Sequence, residues 1–371
     1  MNGNNVLGII YSNMYDECLS EITALRTMGS VPFGGRYRLI DFALSNMVNS
    51  GIEKVGVVTK SNYQSLMDHL GTGKPWDLSR KTEGMFILPP FSSAGNTTKY
   101  RSRLEMLQGI MGFVAHSSKE YILLSDCNSV MNVDLDALMD FHKENNADIT
   151  IAYKRGIMPK LENTMTFAFG GDGRIEKVAI NPDSEEKEDY SLNLIFMKRS
   201  LLQRLVSEAE SLNKTSFERD VIQGNIKKLR IFGYEVHHAR TIDSLQSYFD
   251  ISMELLNPQV CNELFSPDCP IYTKVRDDMP AIYRLGSKVK NSLVASGCII
   301  EGEVENCVLF RGVRVEKGAV LKNSIVMQGG YIASGASLEY VIADKNVVIT
   351  PGKTLSGAQN YPVFVGKDIR I

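Results

Sequence analysis

The chain lacks several features that would assign it to a particular class of protein. It has no apolar run of membrane-spanning length, and its first residues, MNGNN, carry neither the charge nor the apolar core of a signal peptide. Its net charge is only −2, from 41 Lys and Arg against 43 Asp and Glu. That balance favours neither a nucleic acid nor an anionic membrane as partner. We therefore expect a cytoplasmic protein without a membrane or nucleic-acid partner.

Cysteine is scarce and irregularly placed. The six cysteines, at positions 18, 127, 261, 269, 298 and 307, show no C-x-x-C spacing. We expect reduced, packed thiols rather than zinc ligands or a disulfide framework. The length of 371 residues is enough to bury a full core and favours one large domain plus a smaller one.

One stretch, residues 31–46, combines a glycine-containing loop with an amphipathic helix. Its apolar positions are spaced as one helical face that ends before Gly51, namely Ile40, Ala43, Leu44, Met47 and Val48. Before this helix stand Gly34 and Gly35, together with Arg36 and Arg38. Backbone N–H groups and guanidinium groups can hold an anion where a loop meets a helix. A glycine turn with two solvated arginines explains the same residues equally well.

Short apolar runs predict strands at residues 6–10, 55–58, 120–126 and 147–152, the first of them as the first strand of a parallel sheet. Asp126 ends one of these strands, at the edge where ligands and metals bind in open α/β sheets. It could equally cap the following turn. The loop after the first strand contains no glycine and carries Asp16 and Glu17, so it is bulky and electrostatically unfavourable for a triphosphate.

The sequence changes character after a proline-containing connector. From Val289 onward, aliphatic residues recur every six positions, as at Val308, Val320, Val326, Ile332 and Leu338. Small residues keep the same period, at Gly312, Gly318, Ser324, Gly330 and Ala336. Two phases held over several repeats predict a parallel β-helix. We expect domains at 1–248 and 289–371, joined by a connector at 249–288.

Two arginines stand out in the predicted β-helix. Arg314 interrupts the aliphatic phase, and Arg311 lies close to it in sequence. They could be outward-pointing edge residues. Alternatively, they complete a cationic site with Arg36 and Arg38 across the interface between the domains.

The stretch 31–46, His69 and the run PWDLSR at 75–80 resemble the bacterial glucose-1-phosphate adenylyltransferases, also called ADP-glucose pyrophosphorylases. The resemblance covers essentially the whole chain. It implies a nucleotide-diphospho-sugar transferase domain of Rossmann-like α/β fold, followed by a β-helix that is left-handed. In that family the first arginines help to bind an anionic allosteric effector. The resemblance therefore implies an effector site for a sugar phosphate at Arg26, Arg36, Arg38, Arg311 and Arg314.

The catalytic pattern of that family is altered at four places together. The glycine-rich loop is replaced by residues 11–19, the Gly-Thr-Ala-Asp loop by residues 102–105, the sugar-phosphate lysine by Asn181, and the second metal aspartate by Thr241. Tyr100 and Arg101, beside the second of these loops, are kept. Asp126 is also kept, as a possible vestigial metal ligand, and Asp243 could substitute for the missing aspartate. We expect no catalytic residue, metal ligand or cofactor in this chain.

These departures resemble the non-catalytic, GlgD-type subunits of the family. The first hypothesis is a regulatory subunit that pairs with a catalytic adenylyltransferase, in a heterotetramer whose active partner holds Mg²⁺. That complex would make ADP-glucose and diphosphate from ATP and glucose 1-phosphate for glycogen synthesis. The second hypothesis is an active glucose-1-phosphate adenylyltransferase in its own right. Phosphoryl transfer depends on positioned metals and cations, so four joint losses favour the first hypothesis.

Overall fold

The computed structural model describes residues 3–89, 102–184 and 186–371. Tyr100 and Arg101 lie outside these residues. The helices are α1 (Ser20–Thr23), α2 (Leu39–Asn49), α3 (Gln64–Leu70), α4 (Arg103–Ala115), α5 (Leu135–Glu144), α6 (Arg199–Ser211), α7 (Leu245–Glu254) and α8 (Pro258–Leu264). Among the described residues, no helix is both long enough and apolar enough to cross a membrane.

The strands of the first domain are β1 (Val6–Tyr11), β2 (Pro32–Phe33), β3 (Tyr37–Arg38), β4 (Lys54–Val58), β5 (Gly84–Leu88), β6 (Tyr121–Asp126), β7 (Ser129–Val130), β8 (Ile149–Ile157), β9 (Met165–Phe169), β10 (Ile175–Ile180), β11 (Lys187–Lys198), β12 (Ile231–Glu235) and β13 (Arg240–Thr241). Nine of them form one mixed sheet in the described chain. Four of its strands are parallel in the order β6-β1-β4-β5, and β12 also pairs with β8 in parallel. The four predicted strands are confirmed as β1, β4, β6 and β8.

The carboxyl ends of β1 and β6 meet at one edge of this sheet, because the two strands are parallel and Tyr11 pairs with Asp126. Every residue of both strands is buried, as expected for parallel strands covered on both faces. The loop 12–19, which follows β1, and the side chain of Asp126, which ends β6, therefore lie at the same edge of the sheet.

Helix α2 confirms the periodicity of the central stretch. The Asp41 side chain accepts a hydrogen bond from the backbone N–H of Arg38 at 3.0 Å, which satisfies a donor at the helix start. Gly51 follows the helix in the left-handed region, with φ of 73°, where glycine costs least. The helix begins directly after β3 (Tyr37–Arg38), so Arg38 stands at its start.

The C-terminal domain contains three parallel sheets of five strands each, and the fold is a left-handed β-helix. Its strands are β14 (Ile282–Tyr283), β15 (Lys288–Lys290), β16 (Leu293–Val294), β17 (Ile299–Ile300), β18 (Glu303–Glu305), β19 (Val308–Leu309), β20 (Arg314–Val315), β21 (Val320–Lys322), β22 (Ile325–Val326), β23 (Tyr331–Ile332), β24 (Ser337–Glu339), β25 (Val341–Ala343), β26 (Val348–Ile349), β27 (Thr354–Ser356) and β28 (Val363–Val365). The first strand begins at Ile282, before the Val289 at which the sequence period starts.

Successive turns in the middle of the β-helix are shorter than the sequence period indicates. Val308 pairs with Ile325, and Ile325 pairs with Ile342, an offset of 17 residues, one fewer than three six-residue repeats. One corner of each turn is a single residue with left-handed backbone, at Asn291, Asn306, Asn323 and Tyr340. The strict six-residue prediction is therefore wrong at Val320, which is only half-buried, and Leu321 takes the core position.

The two domains share an apolar cluster. Phe33 and Phe42 of the first domain belong to the same buried cluster as Phe310 and Met327 of the β-helix. Gly35 lies at this contact with φ of 81°, and a Cβ there would stand 2.6 Å from Leu293 Cδ2. Glycine is therefore required at this position by both conformation and close approach.

Candidate functional site

Asp126 at the end of β6 is held by an arginine. Arg103, the first residue of α4, donates from Nη1 and Nη2 to the two Asp126 oxygens at 2.8 and 2.7 Å. Its Nε donates to Glu218 Oε1 at 2.9 Å. Arg103 is 1 % exposed and Asp126 is 3 % exposed. Asp126 does not cap the following turn as one prediction had it, because its two oxygens form a bidentate ion pair with Arg103.

The charge of Arg103 is fixed by its surroundings. Burial opposes the charged form, but the carboxylates of Asp126 and Glu218 outweigh it and hold the pKa of Arg103 well above its usual value. The guanidinium also lies over the Tyr11 ring, 4.8 Å from its centroid, which adds a cation–π contact. A permanent positive charge therefore occupies the carboxyl edge of the sheet.

The neighbouring space is occupied by Tyr15 and Asn193. The Asn193 amide donates to the Tyr15 hydroxyl at 2.7 Å, and the Tyr15 hydroxyl hydrogen-bonds to Asp126. Asn193 reaches this position from a register shift in β11, with φ of 54°. Both side chains are buried, so they close the pocket around the ion pair.

The loop 12–19 directs its polar groups inward. Asp16 accepts hydrogen bonds from the backbone N–H of Met28 at 2.7 Å and from the Asn13 amide at 2.6 Å. Burial raises the pKa of Asp16, against these hydrogen bonds. Of the two acidic residues predicted to oppose a triphosphate, Asp16 is thus used to hold the loop itself, whereas Glu17 is exposed.

The residues at the family's metal positions do not fit Mg²⁺, and the residue at its sugar-phosphate position is an amide that bonds within the chain. Thr241 hydrogen-bonds to the Ser129 hydroxyl at 3.1 Å, and Asp243 accepts from the backbone N–H of Lys160 at 2.8 Å. Asn181 accepts from the backbone N–H of Thr164 at 2.7 Å. Mg²⁺ requires several free oxygen ligands in an octahedral arrangement. Within the described part of the chain, no group of three or more His, Cys, Asp or Glu residues could hold a metal ion.

Sequence reasoning missed Arg103 and Glu218. Arg103 stands inside the segment 102–105, which departs from the family pattern. The available signal was a new cation in that segment while Asp126 was unchanged. All six cysteines are free, as expected.

A second site lies between the domains. It is a cavity of about 90 Å³ lined by three of the predicted arginines, Arg36, Arg38 and Arg311. Three further cationic side chains and a histidine line it that the sequence did not indicate as site residues, namely Lys274, Arg276, Lys345 and His69. Asp68 is the one acidic residue among the described residues that line it.

The other two predicted arginines are placed elsewhere. Arg26 does not line the cavity, because its Nη1 and Nη2 donate to the Asp344 carboxylate at 2.8 and 2.9 Å, and both residues are buried. Arg314 also lies outside the cavity, with its side chain exposed on β20. The alternative of an outward-pointing edge residue therefore describes Arg314, whereas Arg311 meets Arg36 and Arg38 across the domain interface.

The cavity cations are partly buried and incompletely paired. Arg38 Nη1 donates to the backbone oxygen of Ser65 at 2.6 Å, and burial lowers the pKa of Arg38 to about 10. Burial, together with the Arg38 and Arg26 charges, lowers the pKa of Lys345 to about 7. The Lys345 ammonium has no hydrogen-bond partner among the residues that the structure describes. Arg38 is therefore not the solvated arginine of a simple turn.

Comparison with known proteins agrees with this architecture. A family model described as nucleotidyl transferase matches residues 17–256, and a GlmU-like C-terminal hexapeptide model matches residues 282–360. The chain is 36% identical to the glycogen biosynthesis protein GlgD of Bacillus subtilis strain 168, over 100% of this chain and 98% of that one. It is 38% identical to GlgD of Geobacillus stearothermophilus, over 86% and 83%. It is 28% identical to the glucose-1-phosphate adenylyltransferase of Bacillus anthracis, over 92% of each chain.

Proposed function

The chain belongs to the nucleotidyl transferase family and, within it, to the GlgD glycogen biosynthesis proteins, and from this we propose that it is a catalytically silent, regulatory subunit of a cytoplasmic glucose-1-phosphate adenylyltransferase. Its partner is the catalytic subunit, which holds Mg²⁺ and makes ADP-glucose and diphosphate from ATP and glucose 1-phosphate. The two kinds of subunit assemble as a heterotetramer.

The ion pair of Arg103 with Asp126 and Glu218 carries this proposal. A transferring phosphoryl group needs metal ions and cations that are free to contact it. Here the Arg103 cation is bound by the carboxylates of Asp126 and Glu218, so neither Arg103 nor Asp126 is free to contact a phosphoryl group or a metal ion. The alternative, an active adenylyltransferase, requires Asp126 to be free for a metal, and this arrangement weighs against it.

The experiment that tests the regulatory role mixes this chain with the catalytic subunit from the same cell. We expect the two chains to elute together at a larger mass than either alone, and the mixture to make ADP-glucose faster than the catalytic subunit by itself. Separate elution with an unchanged rate would contradict the proposal.

We further propose that the interdomain cavity binds the anionic sugar-phosphate effector. Arg36→Ala or Arg38→Ala is expected to raise the effector concentration needed by the mixed complex about tenfold or more, because each removes a charge-assisted hydrogen bond. Arg314→Ala is the matched control, since Arg314 lies outside the cavity. An unchanged effector response in both cavity variants would contradict this site.

The same cavity predicts a pH dependence. Lys345 loses its proton near pH 7 in the free protein, because burial lowers its pKa to about 7. A bound anion favours the protonated form of Lys345. The affinity for inorganic phosphate is therefore expected to fall by up to about tenfold per pH unit as the pH rises above 7. Inorganic phosphate itself gains negative charge as pH rises through neutrality, which on its own would strengthen binding, so the contribution of Lys345 is read from the comparison with a variant that stays charged. Burial also lowers the pKa of His69, so His69 is neutral throughout.

Calorimetric titration with phosphate between about pH 7 and about pH 9 measures this effect. Lys345→Arg keeps its charge and is expected to flatten the profile while retaining affinity. A wild-type profile as flat as that of Lys345→Arg would show that Lys345 does not contact the anion.

A further inference from the structure

A groove lies between helix α7 and one corner of the β-helix. Its volume is about 490 Å³, and it is separate from both sites described above. One wall is formed by corner residues of successive turns, Asn291, Asn306, Asn323 and Tyr340. The other wall is formed by residues of α7 and the turn after it, Phe249, Asp250, Met253, Glu254, Leu256 and Asn257.

The corner residues form a ladder of amides. The Asn291 amide donates to Asn306 Oδ1 at 2.8 Å, and the Asn306 amide donates to Asn323 Oδ1 at 3.3 Å. Each of these residues turns its corner in the left-handed region, which asparagine adopts more readily than most residues. Parallel strands stack at about 4.8 Å, so the amides repeat along the groove at that spacing.

The ladder stops at Tyr340. Because a tyrosine takes the next corner, the Asn323 amide N–H groups have no amide oxygen above them. Neither those N–H groups nor the Tyr340 hydroxyl has a hydrogen-bond partner among the described residues. The Asn323 amide nitrogen and the Tyr340 hydroxyl are not fully buried, so they remain available to a ligand in the groove.

The half-buried Tyr340 ring lies beside these free polar groups. It packs on Phe249, which is buried, with the ring centroids 6.4 Å apart. Tyrosine presents an apolar ring and a polar tip together. The groove therefore offers hydrogen-bond donors, acceptors and an apolar ring face within one continuous surface.

The charges of the groove exclude an anionic ligand. Its described lining contains no Lys, Arg or His that could hold an anion. Of its two carboxylates, Glu254 is ion-paired with Arg240 at 2.6 Å and Asp250 accepts from the Gln246 amide at 2.9 Å. Amides and hydroxyls, which both donate and accept, instead match a neutral ligand whose own groups both donate and accept, and the Tyr340 ring matches its C–H surface.

We propose that this groove binds the neutral, hydroxyl-rich chain of an oligosaccharide. The hydroxyl groups of successive sugars pair with the amide ladder and the carboxylates, and one sugar face lies on Tyr340. The proposal does not depend on the regulatory role or on the interdomain anion site, because it uses none of their residues.

Calorimetric titration of the full chain with maltoheptaose, a neutral chain of linked glucose units, tests this proposal. We expect saturable binding that weakens about tenfold or more in Tyr340→Asn. That change continues the amide ladder with a residue suited to the corner and removes the ring and hydroxyl. Asn323→Gly keeps the left-handed corner, removes the free amide, and is expected to weaken binding in the same direction, so the test does not depend on one variant folding.

Asn346→Gly is the matched control. Asn346 also turns a corner in the left-handed region, with φ of 57°, but does not line the groove. It is expected to bind maltoheptaose as the wild type does. Three results would overturn the proposal: no binding to the wild type tighter than about 1 mM, unchanged binding in both groove variants, or an equal loss in Asn346→Gly.

Discussion

Arg103→Ala is expected to destabilise the protein by about 3–5 kcal/mol. The change removes the cation that contacts both Asp126 and Glu218, and both carboxylates are buried. Two carboxylates then remain close together without a counter-charge, in an environment from which water is largely excluded. The cation–π contact with Tyr11 is lost as well. Urea denaturation measures the effect as a lower free energy of unfolding.

Two further variants distinguish the loss of charge balance from a general loss of packing. Arg204→Ala removes an exposed arginine on α6 and is expected to change stability by less than about 0.5 kcal/mol. Replacing Arg103, Asp126 and Glu218 together by leucine removes all three charges. It is expected to cost less than Arg103→Ala alone, because a buried ion pair can be replaced by apolar residues at little cost. A loss below about 1 kcal/mol in Arg103→Ala would contradict this account.

Breaking the Arg26–Asp344 pair is expected to have the second largest effect. Each single change, Arg26→Met or Asp344→Leu, leaves a buried charge without its partner and should cost about 3–5 kcal/mol. The two residues come from different domains and are joined by two hydrogen bonds of 2.8 and 2.9 Å. The single variants should therefore also expose the domain interface to protease.

The double variant tests whether the two charges act as a pair. Arg26→Met combined with Asp344→Leu is expected to be more stable than either single variant, because no unpaired charge remains. A double-mutant cycle from urea denaturation gives the coupling free energy. Simple addition of the two single losses would show that the ion pair does not link the domains.

Local sequence periodicity predicted most of the fold. The apolar spacing of residues 40–48 gave α2, and short aliphatic runs gave the central strands, because each pattern reports the burial of one element. The six-residue period gave the β-helix for the same reason. The six-residue period did not predict the offset of 17 residues between paired strands of successive turns. That length depends on the conformation of single corner residues such as Asn306.

The candidate sites depended more strongly on tertiary structure. The sequence indicated that the catalytic pattern was altered, but it did not indicate that Arg103 would pair with Asp126, 23 positions away. The family resemblance grouped Arg26 with Arg36, whereas the fold pairs Arg26 with Asp344. Lys345 joined the cavity without any local signal. Charge pairing across domains is a property of the packed chain, and periodicity carries no information about it.

The most direct test of the account is the rate of ADP-glucose formation by the purified chain alone, with ATP, glucose 1-phosphate and Mg²⁺. We predict no turnover above background, because Arg103 holds the carboxylate that a metal would need and Tyr15 and Asn193 close the pocket beside it. Robust turnover that is lost in Asp126→Asn or Asp243→Asn would contradict the account. It would show that these two aspartates are free to hold a metal and that the chain is an adenylyltransferase in its own right.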